Sequence, residues 1–293
     1  MKEITVKDAQ KLLGNTDKVL LIDTRDDREM ALGYIKGARF IPISRLEGEI
    51  ERLSVEKGSP VIVYCSSGNR SMLAVELLRG LGYHNALSLQ GGFNAWVEAG
   101  YEIVSESSLK PEELRRYSRN VLLEEVGEKG QAQLGSARVL IVGAGGLGSP
   151  VGLYLAACGV GTLGIVDFDR VELSNLNRQI LHGTTDVGKW KTESAKEAIN
   201  SLNPHVSVIA FRERLTTENV FHIFEGFDIV VDAADNLQTK FLLNDACFFT
   251  GKPYVFGGAV RFEGQASVFF PKEGGPCLRC MFPKPPPQRL VPT

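Results

Sequence analysis

The sequence predicts an α/β protein of two consecutive units, each with a parallel sheet covered by helices. Short, wholly apolar runs such as Val61–Tyr64 and Val139–Val142 are typical of strands buried on both faces. A segment of helical character follows each run, and alternation of strand and helix favours a parallel sheet. The length of 293 residues fits two domains of roughly 100–200 residues each.

The composition excludes several classes of function. The 33 Lys and Arg residues nearly balance 35 Asp and Glu, for a net charge of -2, so the chain lacks the basic character of a nucleic-acid or anionic-membrane binder. No apolar run reaches the ~18 residues of a membrane helix, and the N-terminus lacks the apolar core of a signal peptide. Five unevenly spaced cysteines do not suit a disulfide framework. We expect a soluble cytoplasmic protein with reduced thiols and neither nucleic-acid nor membrane partners.

The first domain is expected to span residues 1–104. Val19–Ile22 and Val61–Tyr64 are its predicted buried strands. The segment Ser71–Leu78 has helical character and stops at Gly80, as helices commonly end at glycine. The order of these elements predicts a small parallel α/β domain.

The second domain is expected to span 111–293, after a polar linker at 105–110. Its predicted elements, in chain order, are a helix from Pro111 to about Val126, strand Val139–Val142, a helix ending at Cys158, and strands Leu163–Val166 and Ile229–Val231. Seven of the 13 prolines lie between Pro271 and Pro292, which excludes helix and central strand there. We expect that tail to be a loop or an extended arm.

A cysteine loop follows one of the buried strands of the first domain. The segment Cys65-Ser-Ser-Gly-Asn-Arg70 leads from that strand into a helix, so several backbone N–H groups and a helix N-terminus point at one sulfur. With the Arg70 guanidinium nearby, this field favours thiolate and can hold a persulfide anion. A lone cysteine at a strand end is, however, usually a small packing residue, so the spacing alone leaves both interpretations open.

The motifs around this loop resemble the single-domain rhodanese family over residues 4–104. They are Asp23-Thr-Arg25, Glu29, Gly33 to Ala38, Ile41-Pro42 and Gly91-Gly92-Phe93-Asn-Ala-Trp96. The resemblance implies that Cys65 accepts a sulfane sulfur, from thiosulfate or a cysteine desulfurase, with Arg70 and the loop amides in support. The charges of Asp23, Arg25 and Glu29 are expected to form structural ion pairs.

A glycine motif opens the sheet of the second domain. The sequence Gly143-Ala-Gly145-Gly146-Leu-Gly148 follows an apolar strand and precedes a helix, the context in which glycines allow a sharp turn and close approach to phosphate. Asp167 ends the next strand 19 residues after Gly148, where an acidic side chain can hold a ribose hydroxyl. This predicts a nucleotide site in a Rossmann-like, doubly wound sheet and leaves an NAD-linked oxidoreductase possible.

Three charged residues favour a triphosphate. Arg178 and Lys191 follow the ribose-binding position, and attack on an α-phosphate needs positive groups over the leaving pyrophosphate. Asp235 follows the strand Ile229–Val231, at the sheet edge where it can hold Mg²⁺. Singly, each has an ordinary alternative: Arg178 and Lys191 as solvated surface charges, and Asp235 as a helix cap.

The order of motifs closely resembles the MoeB/ThiF-type adenylyltransferases of the ubiquitin-activating superfamily, over about 109–293. The motifs are Arg116 to Arg119, Gly143 to Gly148, Asp167 to Asp169, Ser174 to Gln179, Asp235-Asn236, Gly257 to Gln265 and Cys277-Leu-Arg-Cys280. The resemblance implies that a ubiquitin-like sulfur carrier of MoaD/ThiS type attacks ATP with its C-terminal Gly-Gly carboxylate, giving an acyl-adenylate and pyrophosphate.

The resemblance also implies residue roles. The residues matched to contacts with ATP or its Mg²⁺ are Gly143, Gly145, Gly146, Gly148, Asp167, Ser174, Asn175, Leu176, Asn177, Arg178, Lys191, Asp235 and Asn236. Arg178 and Asp235 are the implied catalytic residues of adenylation, as Cys65 and Arg70 are of sulfur transfer. Arg119 matches an arginine that relatives insert into the partner subunit's site, which implies a homodimer.

Cys277 and Cys280 have the spacing of half a tetrahedral zinc site. A redox pair is the alternative, and the surrounding prolines favour zinc. The family supplies the second cysteine pair further downstream than Val291-Pro292-Thr293, so we expect an incomplete C-terminus and an incomplete Zn²⁺ site. Cys158 and Cys247 are expected to be buried packing residues.

Together the two domains predict one enzyme that adenylates a carrier and delivers persulfide sulfur to it, giving a thiocarboxylate for molybdopterin, thiamine or thiolated-tRNA synthesis. One alternative keeps adenylation but makes the first domain a docking module. Another is an NAD-binding oxidoreductase, and a further one is a chain that binds without chemistry.

Overall fold

The structure is a computed structural model that describes residues 2–15, 19–105 and 109–283. The chain divides into two compact units, Met1–Glu128 and Lys129–Thr293. Both units are mixed α/β, which confirms the predicted fold class. Residues 106–108 of the expected linker lie outside the described residues, so the expected boundary at 105–110 stays a prediction. Within the described ranges, no helix combines the length and the apolar character that crossing a membrane requires.

The first unit alternates strands and helices. Its strands are β1 (Glu3–Ile4), β2 (Leu20–Asp23), β3 (Arg39–Phe40), β4 (Val61–Tyr64) and β5 (Ala86–Leu89). Its helices are α1 (Val6–Asn15), α2 (Asp27–Ala31), α3 (Leu46–Arg52), α4 (Asn69–Gly80), α5 (Gly92–Glu98), α6 (Pro111–Arg116) and α7 (Ser118–Val121).

The sheet of the first unit is parallel and has the order β1-β5-β4-β2-β3 among the described residues. Strand β4 is fully buried, and successive residues point to opposite faces. Val61 and Val63 therefore pack into one hydrophobic cluster, and Ile62 and Tyr64 into another. This double-sided core fixes the carboxyl end of β4, which is where Cys65 leaves the sheet.

The second unit is a larger version of the same arrangement. Its strands are β6 (Arg138–Val142), β7 (Thr162–Val166), β8 (Ser207–Phe211), β9 (Ile229–Asp232), β10 (Tyr254–Val260) and β11 (Glu263–Phe269). Its helices are α8 (Gly127–Ser136), which begins just before the division, α9 (Gly148–Ala157), α10 (Lys191–Leu202), α11 (Val220–Phe224), α12 (Leu237–Thr250) and α13 (Leu278–Met281).

The described strands of the second unit form one sheet in the order β11-β10-β9-β6-β7-β8. All neighbours are parallel except the β10–β11 hairpin. From β6 the chain moves outward to β7 and β8 and then returns to place β9 on the other side of β6. In doubly wound sheets such a reversal opens a crevice at the carboxyl ends of the strands, where ligands bind. The crevice here lies between β6 and β9.

Three expectations from the sequence are wrong in detail. The helix expected from Pro111 to Val126 is two short helices, because the backbone of Tyr117 leaves the helical region between them. The proline-rich tail contains the one-turn helix α13, since no proline interrupts Leu278–Met281, and its residues after 283 lie outside the described part. Cys158 is exposed at the end of α9, whereas Cys247 is buried as expected.

Candidate functional site

The Cys65 loop begins where β4 ends. The Cys65 side chain is buried, and its sulfur accepts a hydrogen bond from the Gly68 N–H at 3.2 Å. Ser71, in the first turn of α4, has its hydroxyl 3.7 Å from the same sulfur and 3.0 Å from the Gly68 carbonyl, two alternative acceptors for its single proton. Gly68 has a φ of +100°, so the loop turns at a residue without a Cβ. The loop thus surrounds one sulfur with donors.

These donors decide the ionisation of the thiol. Burial alone raises the pKa of Cys65, because it penalises the charged form. The N–H groups of Ser71, Ser67 and Gly68 and the Ser71 hydroxyl outweigh that penalty, and the pKa of Cys65 lies below its ordinary value. A thiolate so stabilised is the nucleophilic form of cysteine.

A glycine turn at Gly91-Gly92 packs against the Cys65 loop, and the sequence analysis did not predict this contact. The Phe93 N–H donates to the Cys65 carbonyl at 2.8 Å, and the Asn94 N–H donates to the Ser66 carbonyl at 3.0 Å. A Cβ at Gly92 would overlap the Cys65 carbonyl oxygen, and Gly92 also has a φ of +61°. The Gly91-Gly92 pair was the available signal, since adjacent glycines indicate a position that cannot carry a side chain.

Arg70 lies beside the loop but binds a carboxylate rather than the sulfur. Its Nη1 and Nη2 donate to Glu29 at 2.7 and 2.6 Å, and Nη2 donates to the Ser66 hydroxyl at 3.0 Å. The Glu29 hydrogen bonds raise the pKa of Arg70, with a smaller contribution from the charge of Cys65. The guanidinium therefore acts on the sulfur through its field and holds the loop through Glu29.

Asp23 and Arg25 form the second expected ion pair. Both are buried, and Arg25 Nη2 lies 2.7 Å from the Asp23 carboxylate. Arg25 also donates to the Gly33 carbonyl at 2.7 Å and stacks over the Phe93 ring at 4.0 Å. The ion pair, the hydrogen bonds and the ring contact together surround the Arg25 guanidinium, which is typical of a buried structural ion pair.

In the second unit the glycine turn sits at the crevice between β6 and β9. The Gly143 N–H donates to the Val166 carbonyl at the end of β7. A Cβ at Gly143 would lie 2.6 Å from the Ala233 carbonyl after β9, and the residue has a φ of +102°. Gly148 approaches the Gly143 carbonyl too closely for any side chain. These contacts explain both glycines as packing requirements of the turn.

Asp167 and His182 hold this turn in place. The Asp167 carboxylate accepts hydrogen bonds from the N–H groups of Ala144 and Asp169, both at 2.8 Å. Burial raises the pKa of Asp167, although these bonds oppose the shift. His182 Nε2 donates to the Ala144 carbonyl at 3.0 Å, and its Nδ1 accepts from Ser194 at 2.9 Å. Burial lowers the pKa of His182, which favours the neutral ring, and no sequence signal marked this residue.

The segment from Ser174 to Gln179 reaches the turn through its last two residues. A Cβ at Gly146 would lie 3.6 Å from the side chain of Arg178, whose Nη1 donates to the Ser174 carbonyl at 3.2 Å and to Asn177 at 3.0 Å. Gln179 is buried beside Gly145, and its Oε1 has no hydrogen-bond partner among the described residues. An unpaired buried acceptor next to an exposed guanidinium suits a polar ligand at this turn.

Lys191 is buried at the start of α10, and its Nζ lies 3.0 Å from the Asp169 carboxylate. The structure therefore connects it, through Asp169, to the strand end that carries Asp167. Its charge is partly offset by Asp169, which is half exposed.

A buried charge network supports the end of β9. Lys240 Nζ lies 3.1 and 3.0 Å from the two oxygens of Asp232, and the Tyr254 hydroxyl donates to Asp232 at 2.7 Å. Asp232 also accepts from the Ala234 N–H at 2.9 Å, which fixes the turn toward Asp235. Sequence reasoning missed this network, because its members come from three separate elements.

Asp235 and Asn236 are exposed at that turn. The Asn236 side chain caps α12 by accepting from the Thr239 N–H at 2.9 Å, so the capping role belongs to Asn236. The Asp235 carboxylate accepts only a long contact from the Asn236 amide, 3.4 Å, among the described residues. Its oxygens are therefore available to a cation.

The paired cysteines lie at the start of α13. Cys277 is buried and Cys280 is exposed, and their sulfurs are 3.8 Å apart. Two thiolates bound at about 2.3 Å to one tetrahedral Zn²⁺ would be separated by about that distance. Burial raises the pKa of Cys277, and hydrogen bonds from the Cys280 and Arg279 backbone reverse the shift to below its ordinary value. In the described part of the chain, no group of three or more metal-ligating side chains occurs.

Arg119 lies on α7, in the first compact unit, and is exposed.

Together, the fold and the two sites define a class of protein: a doubly wound nucleotide-binding unit preceded by an α/β unit with an activated loop thiol. Comparison with known families agrees with that class. The ThiF family matches residues 117–293, and the rhodanese-like domain matches residues 5–99. The chain belongs to the ThiF family and carries a rhodanese-like domain at its N-terminal side.

Several curated proteins are similar to the chain. The sulfur carrier protein adenylyltransferase of Thermus thermophilus is 52% identical over 62% of this chain and 69% of its own length. The probable adenylyltransferase/sulfurtransferase MoeZ of Mycobacterium tuberculosis is 49% identical over 64% of this chain and 48% of its own length. The chain thus aligns with about half of the length of MoeZ.

A solved structure supports the fold. Escherichia coli MccB, in a crystal structure with AMPCPP and MccA, is 31% identical over 56% of this chain and 51% of that chain, with a TM-score of 0.51.

Proposed function

We propose that the protein adenylates the C-terminal Gly-Gly carboxylate of a ubiquitin-like sulfur carrier of MoaD/ThiS type and then supplies that carrier with sulfur from Cys65. The observation that carries the first half is the glycine turn at the crevice between β6 and β9, with the exposed Arg178 beside Gly146 and the exposed Asp235 after β9. The named relatives from Thermus and Mycobacterium support it, since both are adenylyltransferases by name.

In the adenylation step, a carrier carboxylate oxygen attacks the α-phosphorus of ATP, and the bond to pyrophosphate breaks. The amides of the turn from Gly143 to Gly148 would hold the phosphates, and Asp167 would hold the ribose. Arg178 would neutralise charge on the leaving pyrophosphate, with Lys191 beside it. Asp235 would hold Mg²⁺, which would offset the charge of the phosphates. Ser174, Asn175, Leu176, Asn177 and Asn236 complete the proposed nucleotide site.

In the sulfur-transfer step, the Cys65 thiolate takes a sulfane sulfur from a donor such as thiosulfate or a cysteine desulfurase, with Arg70 in support. The terminal persulfide sulfur attacks the acyl carbon of the adenylate, and AMP leaves. A thiol then attacks the Cys65 sulfur, and the disulfide bond breaks with its electron pair leaving on the carrier thiocarboxylate. A second thiol reduces the mixed disulfide that remains at Cys65. The product suits molybdopterin, thiamine or thiolated-tRNA synthesis in the cytoplasm.

Two further parts of the proposal concern assembly. Arg119 would enter the partner subunit's nucleotide site of a homodimer, as the family resemblance implies. Cys277 and Cys280 would supply two thiolates to Zn²⁺, which the 3.8 Å separation of their sulfurs suits.

ATP–pyrophosphate exchange tests the adenylation half. We expect exchange that depends on a Gly-Gly-tailed carrier, that Asp235→Asn abolishes and that Cys65→Ala leaves intact. Calorimetry compares the affinity of the protein for MgATP with its affinity for NAD. Binding of NAD in preference to MgATP would exclude adenylation and favour an oxidoreductase. If Cys65→Ala left carrier thiocarboxylation unchanged, the first unit would be a docking module.

A further inference from the structure

The alanine inside the glycine turn is held at both of its backbone groups. The Ala144 N–H donates to the Asp167 carboxylate at 2.8 Å, and the Ala144 carbonyl accepts from His182 Nε2 at 3.0 Å. Ala144 and His182 are both buried. The Ser149 hydroxyl also faces that carbonyl, but at 3.5 Å it is at the outer limit of a hydrogen bond. His182 is therefore the closest side chain that orients the Ala144 carbonyl.

Holding this carbonyl also fixes the direction of the next N–H group. The peptide that joins Ala144 to Gly145 is trans, so its carbonyl and its N–H point in opposite directions. The Gly145 N–H therefore points away from His182. Within the described ranges it donates to no residue, and neither does the Gly146 N–H that follows. Two adjacent unpaired donors in a turn before a helix suit the oxygens of a phosphate.

The chain segment that carries His182 runs along the glycine turn. The Arg178 side chain lies beside Gly146, and the Gln179 side chain lies beside Gly145. The His182 N–H donates to the Gln179 carbonyl at 3.1 Å, and this bend brings the ring to the residue before Gly145. One segment thus supplies both the guanidinium proposed for the leaving pyrophosphate and the donor that orients the turn.

A buried hydroxyl decides which ring nitrogen of His182 carries the proton. Ser194, on α10, is buried, and its Oγ lies 2.9 Å from Nδ1. In the neutral ring, a proton on Nε2 satisfies both nitrogens, since Nε2 donates to Ala144 and Nδ1 accepts from Ser194. The other tautomer would set the Nε2 lone pair against the lone pairs of the Ala144 carbonyl. Ser194 therefore favours the tautomer that holds the turn.

The contact with Ala144 also survives protonation of the ring. The charged side chains that face His182 are Lys191, Asp167 and Asp186. Burial lowers the pKa of His182 and prevails over the hydrogen bond to the Ala144 carbonyl, which raises it; the lysine lowers it further, and the two carboxylates raise it. The Ser194 hydroxyl also bonds the carboxylate of Asp186. Both nitrogens of a protonated ring donate, so Nε2 keeps its bond to Ala144 when this hydroxyl turns to the carboxylate.

We propose that His182 is a positioning residue of the nucleotide site, which holds the Ala144–Gly145 peptide so that the Gly145 N–H donates to a phosphate oxygen of ATP, with Ser194 setting its tautomer. The inference rests on the proposed adenylation and deepens it by naming the residue that orients one phosphate-binding amide. Without the Nε2 donor this peptide can turn over and present its carbonyl oxygen to the phosphates. The loss therefore weakens binding of phosphates and spares binding of the nucleoside.

Titration calorimetry with MgATP and with adenosine tests this contact, because only the first ligand carries phosphates. The amide of His182→Gln extends to about the position of Nε2 and can donate to Ala144, whereas the shorter amide of His182→Asn reaches only the position of Nδ1. We expect His182→Asn to weaken MgATP binding about tenfold, the value of one charge-assisted hydrogen bond, and to leave adenosine binding unchanged. His182→Gln should keep most of the affinity. His222→Asn, at an exposed ring on α11, is the matched control.

Ser194→Ala tests the tautomer. Well above the pKa of His182 this variant should bind MgATP severalfold more weakly than wild type. The difference should shrink as the pH falls through that pKa, because a protonated ring carries the Nε2 proton without help. In a His182→Phe background, Ser194→Ala should cause no further loss, since the hydroxyl acts through the ring.

Several results would overturn the inference and leave the proposed function standing. They are equal losses of MgATP affinity in His182→Asn and His182→Gln, an equal loss for adenosine, and wild-type affinity in His182→Asn. If His182→Asn did not fold, Ser194→Ala would decide: a deficit that did not change with pH would overturn the inference. If wild type bound no MgATP and catalysed no carrier-dependent pyrophosphate exchange, the inference and the proposed adenylation would both fail.

Discussion

Glu29 and Arg70 meet in a two-point ion pair, with Nη1–Oε2 and Nη2–Oε1 separations of 2.7 and 2.6 Å. The pair joins α2 to the first turn of α4, and it therefore links α2 to the loop that follows Cys65. Burial raises the pKa of Glu29, but the hydrogen bonds from Arg70 and Ser66 and from the Asp26 N–H lower it to about 2 from 4.5. Ionised Glu29 therefore stabilises the fold above pH 4.5, and this contribution is lost as the pH falls toward 2.

We expect Glu29→Gln to lower the free energy of unfolding of the first unit by about 1 kcal/mol at neutral pH. The difference from wild type should shrink as the pH falls from 4.5 toward 2, because wild type then loses the same charge. Urea unfolding in a Trp190→Phe background, where Trp96 fluorescence reports the first unit, measures it. Glu49→Gln, which removes an exposed pair with Arg52, is the control. A difference that did not change with pH would contradict the assignment.

Ser71→Ala should reduce the reactivity of Cys65. The Ser71 hydroxyl stabilises the thiolate, so its loss should raise the pKa of Cys65 and slow alkylation by iodoacetamide at pH 7 about fivefold, the worth of one hydrogen bond of roughly 1 kcal/mol. Mass spectrometry of the Cys65 peptide across a pH series gives the rate. Ser67→Ala keeps the backbone donor at 67 and should match wild type. An identical pH profile for all three proteins would show that the hydroxyl does not act on the sulfur.

Gly92→Ala should disrupt the Cys65 loop. A Cβ would overlap the Cys65 carbonyl, and alanine is strained at a φ of +61°. We expect a loss of roughly 3 kcal/mol in the stability of the first unit, combining overpacking and strain. The same unfolding assay measures it. Gly48→Ala, in a helix with open space at the Cβ position, should be neutral or stabilising. If Gly92→Ala were as stable as wild type, the close contact between Gly92 and the Cys65 carbonyl would not constrain the loop.

Lys240→Met should destabilise the second unit by about 3–5 kcal/mol, because it leaves the Asp232 carboxylate buried without its cation. Hydrogen exchange followed by mass spectrometry on β9 and α12 would show the loss as faster exchange. Lys196→Met, on the exposed side of α10, is the matched control. Adding Asp232→Asn should restore part of the stability. If the double variant were no better than Lys240→Met, the ion pair would not be the cause.

Local patterns predicted the parts of each site that are continuous in sequence. Strand β4 has the predicted bounds, and the glycine turn from Gly143 occupies the predicted strand-to-helix junction. Both follow from buried apolar runs and glycine spacing, which act over a few residues. The ion-pair partner of Arg70 was harder to predict, because Glu29 is 41 positions away and competes with Cys65 for the same guanidinium.

Contacts between distant elements had no local signal. Tyr254 reaches Asp232 across 22 positions, and His182 reaches Ala144 across 38. Cys158 was expected to be buried from its apolar neighbours, but it is exposed at the C-terminal end of α9, where the helix stops covering the sheet. Such outcomes depend on where an element ends in three dimensions.

The central claim is that one chain activates a carrier tail with ATP and places Cys65 sulfur on it. Intact-mass spectrometry of a Gly-Gly-tailed carrier, incubated with MgATP, a sulfur donor, a thiol and the protein, measures this directly. We predict a carrier in which sulfur replaces one carboxylate oxygen with wild type, but not with Cys65→Ala, although pyrophosphate exchange persists in that variant. Equal amounts of thiocarboxylate from Cys65→Ala and wild type would contradict the account.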